Sequence, residues 1–242
     1  MATRTALTLM GVEVQLEPAE GVFTPSQHGM FYARALHVEP GERVIDIGTG
    51  SGVLGIAAAK RGARVTVTDI DARAVAAAEH NARLNEVEVE GRVGALFADA
   101  EGGFDVILAN LPNEIVAPAH ITHMDPAQAR ALAGGERGNE QILALLDAAR
   151  AHMHAASRLY LGVHALTDYH ATLRTALEHY ALRLLDLGPL PVKPFVTEHL
   201  EFYRALAAAG IIELFRDHEG RWCSYGYIYE LRCTSAATPG DR

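Results

Sequence analysis

A glycine-rich loop that directly follows an apolar stretch carries the clearest chemical meaning in the sequence. Residues 44–52 read Val-Ile-Asp-Ile-Gly-Thr-Gly-Ser-Gly. Glycines in such a loop let a ligand approach the backbone and permit positive φ angles, and the helix that follows offers free N–H groups to an anionic ligand. Asp69 ends the next predicted strand, where a carboxylate can accept both hydroxyls of a ribose. The pattern predicts a nucleotide-containing cofactor.

Two registers of this loop are open. Residues 50–55 also match the dinucleotide pattern G-x-G-x-x-G, which would indicate a nicotinamide-dependent oxidoreductase. In that pattern the first glycine directly follows the strand, whereas here the strand ends at Ile47 and meets Gly48. The register that begins at Gly48 fits better, and Asp46 within the strand agrees with it.

A second polar group follows the predicted strand Phe104–Ala109. Its sequence is Asn110-Leu111-Pro112-Asn113-Glu114, and open α/β sheets bind ligands at the carboxyl ends of their strands. Glu114 could hold a cationic amine or accept its proton, or it could be an acid that stabilises a helix start. His28, beside the stretch from Phe23 to Gln27, is a second candidate base.

Short apolar runs alternate with helical patterns over residues 43–190, which is typical of βαβ units with a parallel sheet. We predict an α/β fold with a Rossmann-like, doubly wound, seven-stranded sheet, mostly parallel, with an antiparallel C-terminal strand and helices on both faces. Ser26 and Asp71 are predicted N-caps. The predicted strands are residues 43–47, 64–68, 87–93, 104–109, 159–163, 182–187 and 222–232. The predicted helices are residues 53–61, 71–85, 140–153 and 198–209, with one more within 21–38.

The length of 242 residues fits one domain of this class. Within it we predict an entry segment and helix over residues 1–40 and a cofactor-binding sheet over 41–187. Residues 188–232 would form a lid and the C-terminal strand, and residues 233–242 a flexible tail.

The composition limits the partners and the compartment. A formal charge of −9 argues against a nucleic acid acceptor. No apolar run is long enough to span a membrane and no secretory segment precedes Glu13, so we expect a cytoplasmic protein without a membrane partner. Cys223 and Cys233 have no zinc-site spacing and the histidines are scattered, so no metal site is predicted. The oligomeric state is not determined by the sequence.

The sequence Asp46-x-Gly48-x-Gly50-x-Gly52 followed by an acid at a strand end resembles class I S-adenosylmethionine-dependent methyltransferases. The segment from Ala133 to Glu140 and the stretch from Val22 to Gln27 are similar to the release-factor glutamine methyltransferase group. The resemblance implies S-adenosylmethionine as cofactor. It implies cofactor contacts from Gln27, Asp46, Gly48, Thr49, Gly50, Gly52, Asp69, Ile70, Asp99, Ala100 and Asn110, with Asp99 on the adenine amino group.

Amino methyltransferases of this kind carry Asn-Pro-Pro-aromatic where this chain has Asn110-Leu111-Pro112-Asn113. The resemblance implies that the Asn110 side chain and the Leu111 carbonyl accept hydrogens of the target nitrogen. It assigns Asn110, Leu111, Pro112, Glu114 and His28 to the catalytic group. The missing aromatic residue weakens the prediction of a planar base or amide as acceptor.

Together these features predict N-methylation of a small-molecule acceptor. A protein methyltransferase of the glutamine type and an RNA methyltransferase are alternatives that would use the same cofactor site.

Overall fold

A central mixed sheet organises the chain, and the computed structural model describes residues 4–124, 129 and 133–234. The strands are β1 (Thr5–Leu9), β2 (Val12–Leu16), β3 (Arg43–Ile47), β4 (Arg64–Asp69), β5 (Glu90–Val93), β6 (Phe104–Ala109), β7 (Met153–His164), β8 (Tyr180–Pro191), β9 (Phe215–Arg216) and β10 (Trp222–Cys233). The helices are α1 (Gln27–Ala33), α2 (Val53–Lys60), α3 (Ala72–Leu84), α4 (Pro118–Ile121), α5 (Glu140–Ala149), α6 (Tyr169–His179), α7 (Pro194–Glu198) and α8 (Leu200–Ala208).

The strand order of the sheet confirms the predicted fold class. Its path is β5-β4-β3-β6-β7-β10-β8, with β9 paired to β10. The strands from β5 to β7 are parallel to their neighbours, whereas β10 runs antiparallel to both β7 and β8. Over the described residues this sheet has eight strands rather than seven, because β9 is too short to show a periodic pattern. The chain reverses its direction of winding between β3 and β6, which is where such sheets bind ligands.

The sheet is buried on both faces, which explains its apolar strands. Val44 and Val106 point to a cluster that contains residues of α2, β1 and β2. Their neighbours Ile45 and Ile107 point to a cluster around α5. All four side chains are fully buried.

Two predicted helix caps are present. The Ser26 hydroxyl accepts a hydrogen bond from the Gly29 N–H at 3.2 Å and begins α1. The Asp71 carboxylate accepts one from the Arg73 N–H at 2.9 Å and begins α3. Each bond satisfies a backbone donor that the helix itself leaves free.

An N-terminal hairpin, β1–β2, was not predicted within residues 1–40. It turns at Met10 and Gly11, which both have positive φ (48° and 76°), as a two-residue turn between twisted strands requires. Val14 and Leu16 of β2 enter the core. The alternation Val-Glu-Val-Gln-Leu after Gly11 is the signal that could have identified this hairpin.

The C-terminal region contains the predicted helix and strand together with further elements. Residues 188–232 contain the end of β8, both α7 and α8, and nearly all of β10. The predicted tail begins inside β10, which runs to Cys233, and residues 235–242 lie outside the described part of the chain. Within residues 4–124, 129 and 133–234, every helix is too short or too polar to cross a membrane.

Two buried asparagines, one within α3 and one at its C-terminal cap, hold the hairpin. The Asn81 side chain accepts a hydrogen bond from the Glu17 N–H (2.9 Å) and donates one to the Ser51 carbonyl in the glycine loop (3.0 Å). The Asn85 side chain accepts from the Gln15 N–H (2.9 Å) and donates to the Gln15 carbonyl (2.6 Å). The unpredicted hairpin is therefore connected to the loop of the predicted cofactor site.

We expect Asn81→Ala to lower the free energy of unfolding by about 2–3 kcal/mol, because it leaves buried backbone groups without partners. Urea denaturation followed by circular dichroism measures this. Arg83→Ala, at an exposed position of the same helix, is the control and should change stability by less than about 0.5 kcal/mol. Equal effects of the two substitutions would show that the asparagine contacts do not hold the hairpin.

Candidate active site

A cavity of about 530 Å³ opens at the carboxyl ends of β3, β4 and β6. One end is lined by the glycine loop and the end of β4, and the other by α1, the loop after β6 and the ends of β7 and β8. The predicted site residues that line it are His28, Asp46, Gly48, Thr49, Gly50, Asp69, Ile70, Asn110, Leu111, Pro112 and Glu114. The structure therefore brings most of the predicted cofactor and catalytic residues to one cavity.

The glycine loop requires glycine at two positions for separate reasons. Gly48 has a φ of 69°, and a Cβ there would lie 2.7 Å from the Leu111 side chain. Gly52 has a φ of 87°, and a Cβ there would lie 2.8 Å from the Ala78 backbone. Gly52 thus allows α3 to pack against the loop, and it does not line the cavity.

Asp46 anchors the glycine loop through hydrogen bonds to its carboxylate. One oxygen of its carboxylate accepts hydrogen bonds from the Thr49 hydroxyl (2.7 Å) and the Gly55 N–H (2.9 Å). Its burial raises the pKa from 3.8 to about 6, although the bonds from Thr49 and Gly55 oppose that rise. The carboxylate therefore fixes the shape of the loop, and its predicted contact with the cofactor remains a prediction.

Asp69 stands at the edge of the cavity with capacity for a ligand. Its carboxylate accepts hydrogen bonds from the Gly50 N–H (3.1 Å) and the Asp71 N–H (3.0 Å). A carboxylate can accept more bonds than these two, so it can also accept those of a ribose. The neighbouring Ile70 is 62% exposed and offers an apolar surface beside it.

Four predicted cofactor residues do not line the cavity: Gln27, Gly52, Asp99 and Ala100. In the loop after β5, the cavity is lined by Gly94, Ala95 and Leu96 instead of Asp99. Asp99 was predicted from its spacing alone. Leu96 and Ala98 have positive φ, and the tight turns that they form determine which part of the loop faces the cavity.

Asn110 faces the cavity beside α1. A Cβ at Gly29 would lie 3.1 Å from its side-chain nitrogen, so this glycine makes room for it. Helix α1 is positioned by Tyr32, whose hydroxyl donates to the Tyr160 carbonyl (2.8 Å) and accepts from the Ala109 N–H (3.1 Å). The Asn110 amide is thus held next to the end of β6.

The Leu111 carbonyl already accepts one hydrogen bond. The Asn113 side chain donates hydrogen bonds to it (3.1 Å) and to the Gly162 carbonyl (3.2 Å). A carbonyl oxygen has a second lone pair, so the Leu111 carbonyl can still accept a hydrogen from a substrate nitrogen. Asn113 therefore takes the place of an aromatic side chain and orients the loop.

Glu114 is buried, with 4% of its surface exposed, and three basic side chains surround it. Its Oε1 atom lies 3.1 Å from His28 Nδ1 and 3.3 Å from His164 Nδ1, and its Oε2 atom lies 2.8 Å from Lys193 Nζ. Burial alone would raise its pKa, but His164, His28 and the Lys193 charge together lower it well below its ordinary value. Because a general base works best with a pKa near the working pH, Glu114 is a poor proton acceptor here.

His164 and Lys193 were missed by the sequence analysis. They come from the end of β7 and the residue before α7, far from Glu114 along the chain. Lys193 stands in the proline-rich segment predicted as a lid, but nothing in its neighbours marks it as a site residue. Only the packing of distant segments shows their role.

The glycines near residue 135 hold the backbone at Glu114. The Gly134 N–H donates to the Glu114 carbonyl (3.1 Å). A Cβ at Gly134 would lie 2.2 Å from the Gly138 carbonyl oxygen, and one at Gly138 would lie 2.7 Å from the Ile115 nitrogen. This close backbone packing explains why glycines occur in that segment.

Comparison with known proteins agrees with this geometry. A family model described as "Ribosomal protein L11 methyltransferase (PrmA)" matches residues 30–135. The matched segment is thus similar to a methyltransferase family over less than half of this chain. The predictions of the enzyme class and of its cofactor are confirmed at this level. The family that matches is not the release-factor group to which the motifs were compared.

Curated relatives carry the same family name. The ribosomal protein L11 methyltransferase of Caldicellulosiruptor bescii is 51% identical over 81 residues, which are 33% of this chain and 27% of that protein. The one of Thermotoga maritima is 38% identical over 111 residues, 43% of this chain and 42% of that protein. The matched segments thus span less than half the length of these relatives.

A solved structure supports the fold. The T. thermophilus 16S rRNA N2 G1207 methyltransferase, in complex with AdoMet and guanosine, superposes with a TM-score of 0.61 at 17% identity. The superposition covers 95% of this chain and 50% of that one. At this identity the similarity shows a shared fold alone.

The prediction of a small-molecule acceptor is wrong. The relatives are named for a ribosomal protein, which is a macromolecular acceptor. The prediction relied on the absent aromatic residue and the charge of −9, and neither feature separates a small amine from an amine on a protein.

We expect Asp46→Asn to change how stability depends on pH. The folded-state pKa of Asp46 is raised to about 6, so the folded state binds this proton more tightly than the unfolded state. That contribution is complete below about pH 4 and is lost as the pH rises through 6. The free energy of unfolding of the wild type, relative to the variant, should therefore fall by about 2–3 kcal/mol between pH 4 and 7.

Chemical denaturation at several pH values measures this difference. Asp147→Asn, which replaces an exposed acid of α5, is the control and should run nearly parallel to the wild type. A constant difference between the wild type and Asp46→Asn would contradict the raised pKa.

Proposed function

We propose that the protein transfers the methyl group of S-adenosylmethionine to a nitrogen atom of a protein acceptor. One observation carries the proposal: a single cavity joins the glycine loop and Asp69 to the Asn110 amide. The cofactor end can hold the nucleoside, and the amide at the other end can orient an N–H group. No further cofactor is needed for such a transfer, because the sulfonium already activates the methyl group.

The names of the relatives support a protein acceptor, and ribosomal protein L11 is the first candidate. The chain's formal charge of −9 favours a basic protein surface over a phosphate backbone. The proposed acceptor group is an amine, because Asn110 and the Leu111 carbonyl offer acceptors for N–H hydrogens at the end of β6.

The proposed roles follow the geometry. Gly48, Gly50 and Asp69 bind the cofactor, with Ile70 against its base. Asn110 and the Leu111 carbonyl hold the acceptor nitrogen so that its lone pair faces the methyl group. Alignment of this kind is equivalent to effective molarities of about 10⁵–10⁸ M.

Proton removal is proposed at His28 rather than at Glu114. An ammonium group must lose a proton before it can attack the methyl group. His28 lines the cavity and contacts Glu114, whose own pKa is lowered. Glu114 then acts as a positioning residue that holds the His28 ring.

The test of function is methyl transfer from labelled S-adenosylmethionine to purified ribosomal protein L11. We expect label in L11, with mass spectrometry of its peptides placing the methyl group on an amine nitrogen. A basic protein of similar size that is not a ribosomal protein is the control. Label in the control protein alone, or in neither, would contradict the proposal for this acceptor.

Two substitutions should separate chemistry from cofactor binding. Asn110→Ala should lower kcat about 100-fold or more and change the Kd for S-adenosylhomocysteine less than about threefold, because its amide acts on the acceptor. Asp69→Ala should instead raise that Kd by about tenfold or more through loss of the ribose bonds. Calorimetry and steady-state kinetics measure both effects, and the reverse pattern would exchange the assigned roles.

A further inference from the structure

Three potential metal ligands converge in the wall of the cavity. The side chains of His28, Glu114 and His164 each bring a donor atom within 4.8 Å of the others. They come from α1, the loop after β6 and the end of β7. Glu114 and His164 are buried, with 4% and 5% of their surfaces exposed.

The hydrogen bonds of His28 leave one ring nitrogen facing a carboxylate. His28 Nε2 lies 3.3 Å from the Pro191 carbonyl oxygen. A carbonyl can only accept, so a neutral ring that donates to Pro191 has its proton on Nε2. The lone pair of Nδ1 then faces Glu114 Oε1 at 3.1 Å. A cation between these two atoms, or a second proton on the ring, must resolve this contact.

The buried ring of His164 also needs a ligand or a proton. Neither of its ring nitrogens has a hydrogen-bond partner within the described part of the chain, although Nδ1 lies 3.3 Å from Glu114 Oε1. The ring is buried beside the Glu114 carboxylate, and a neutral imidazole is the form that binds metals. A buried imidazole without a partner is uncommon and calls for a ligand.

Two of the three distances between donor atoms match those between the ligands of one small cation, and the third lies within 4.8 Å. Metal–nitrogen and metal–oxygen bonds of about 2.0–2.1 Å in a tetrahedral site separate neighbouring donor atoms by about 3.3–3.4 Å. The contacts of Glu114 Oε1 with His28 Nδ1 and His164 Nδ1 measure 3.1 and 3.3 Å. We propose that His28, Glu114 and His164 bind a divalent transition-metal ion of the zinc type, with the fourth position open to the cavity.

Second contacts support the ligands in the way that metal sites require. The Pro191 carbonyl fixes the tautomer and orientation of His28, and Lys193 binds Glu114 through Oε2, leaving Oε1 for the ion. Two histidines and one carboxylate with an open position suit Zn²⁺, Co²⁺ or Fe²⁺. The bound ion would take the lone pair of His28, so His28 is the proposed base only in the metal-free protein and a ligand, not a base, when the ion is bound.

The test is direct binding of metal to the full chain without cofactor or acceptor, so that it is independent of methyl transfer. Titration calorimetry with Zn²⁺ against a weak chelator should show one site. Co²⁺ should give the intense visible absorption of a tetrahedral site with nitrogen and oxygen ligands. His164→Ala and His28→Ala should each weaken binding by about 100-fold, with circular dichroism confirming that each variant folds.

A second group of side chains provides the matched control. His120, Glu198 and His199 also lie within mutual reach, but Glu198 is exposed. His199→Ala should leave the Zn²⁺ stoichiometry and affinity of the proposed site unchanged. Absence of binding by the wild type, or binding that is lost in His199→Ala and retained in both folded cavity variants, would overturn the proposal.

Lys193→Gln should strengthen Zn²⁺ binding at the same site, which is the opposite of the effect expected for the histidine variants. The substitution keeps a donor for Glu114 Oε2 and removes a positive charge that lies 2.8 Å from this oxygen. It should raise the affinity for Zn²⁺ about tenfold, because like charges close to a site disfavour binding. A fall in affinity would contradict a cation at Glu114.

Discussion

The end of the cavity that contains Asn110 and Glu114, which we call the acceptor end, depends on the buried carboxylate of Glu114. It connects α1 through His28, β7 through His164 and the residue before α7 through Lys193. Its own backbone is held by Gly134 and by Ile115, whose N–H donates to the Leu166 carbonyl at 2.9 Å. A buried charge is tolerated only with partners, so the segments that meet here are constrained to one arrangement.

The two buried carboxylates of the cavity show how surroundings determine their properties. Asp46 has neutral partners, the Thr49 hydroxyl and the Gly55 N–H, and burial raises its pKa to about 6. Glu114 has the ammonium group of Lys193 and two imidazoles, and its pKa is lowered. The first carboxylate fixes a loop by hydrogen bonds, and the second organises charge; Asp46 lies within β3 and Glu114 in the loop after β6.

The sequence predicted what local pattern determines. The strand Phe104–Ala109, the caps Ser26 and Asp71, and the glycine loop follow from periodicity, capping and the requirement for positive φ, and the structure contains them. The hairpin β1–β2 was missed, although the alternation in β2 is a local signal for it. Its stability comes from buried bonds to α3, which no local pattern reveals.

The residues of the candidate site also divide into those that a local pattern predicts and those that only long-range packing brings together. The cofactor end is encoded within one stretch of chain, from the glycine loop to Asn110, and its residues can be recognised from spacing. The acceptor end requires His164 and Lys193, which long-range packing alone brings to Glu114. Asp99 shows the limit of spacing even within the first stretch, because the turns after β5 direct Gly94–Leu96 into the cavity instead.

The family similarity covers the cofactor end of the cavity but only part of the acceptor end. The family model covers residues 30–135, which include the glycine loop, Asp69, Asn110 and Glu114. Three side chains around Glu114 lie outside that range, at His28, His164 and Lys193. Helix α8 closes the same end, because the Tyr203 hydroxyl donates to the Ile115 carbonyl (3.0 Å). The matched segment therefore contains the residues of the proposed cofactor end, whereas the proposed acceptor end also needs segments outside it.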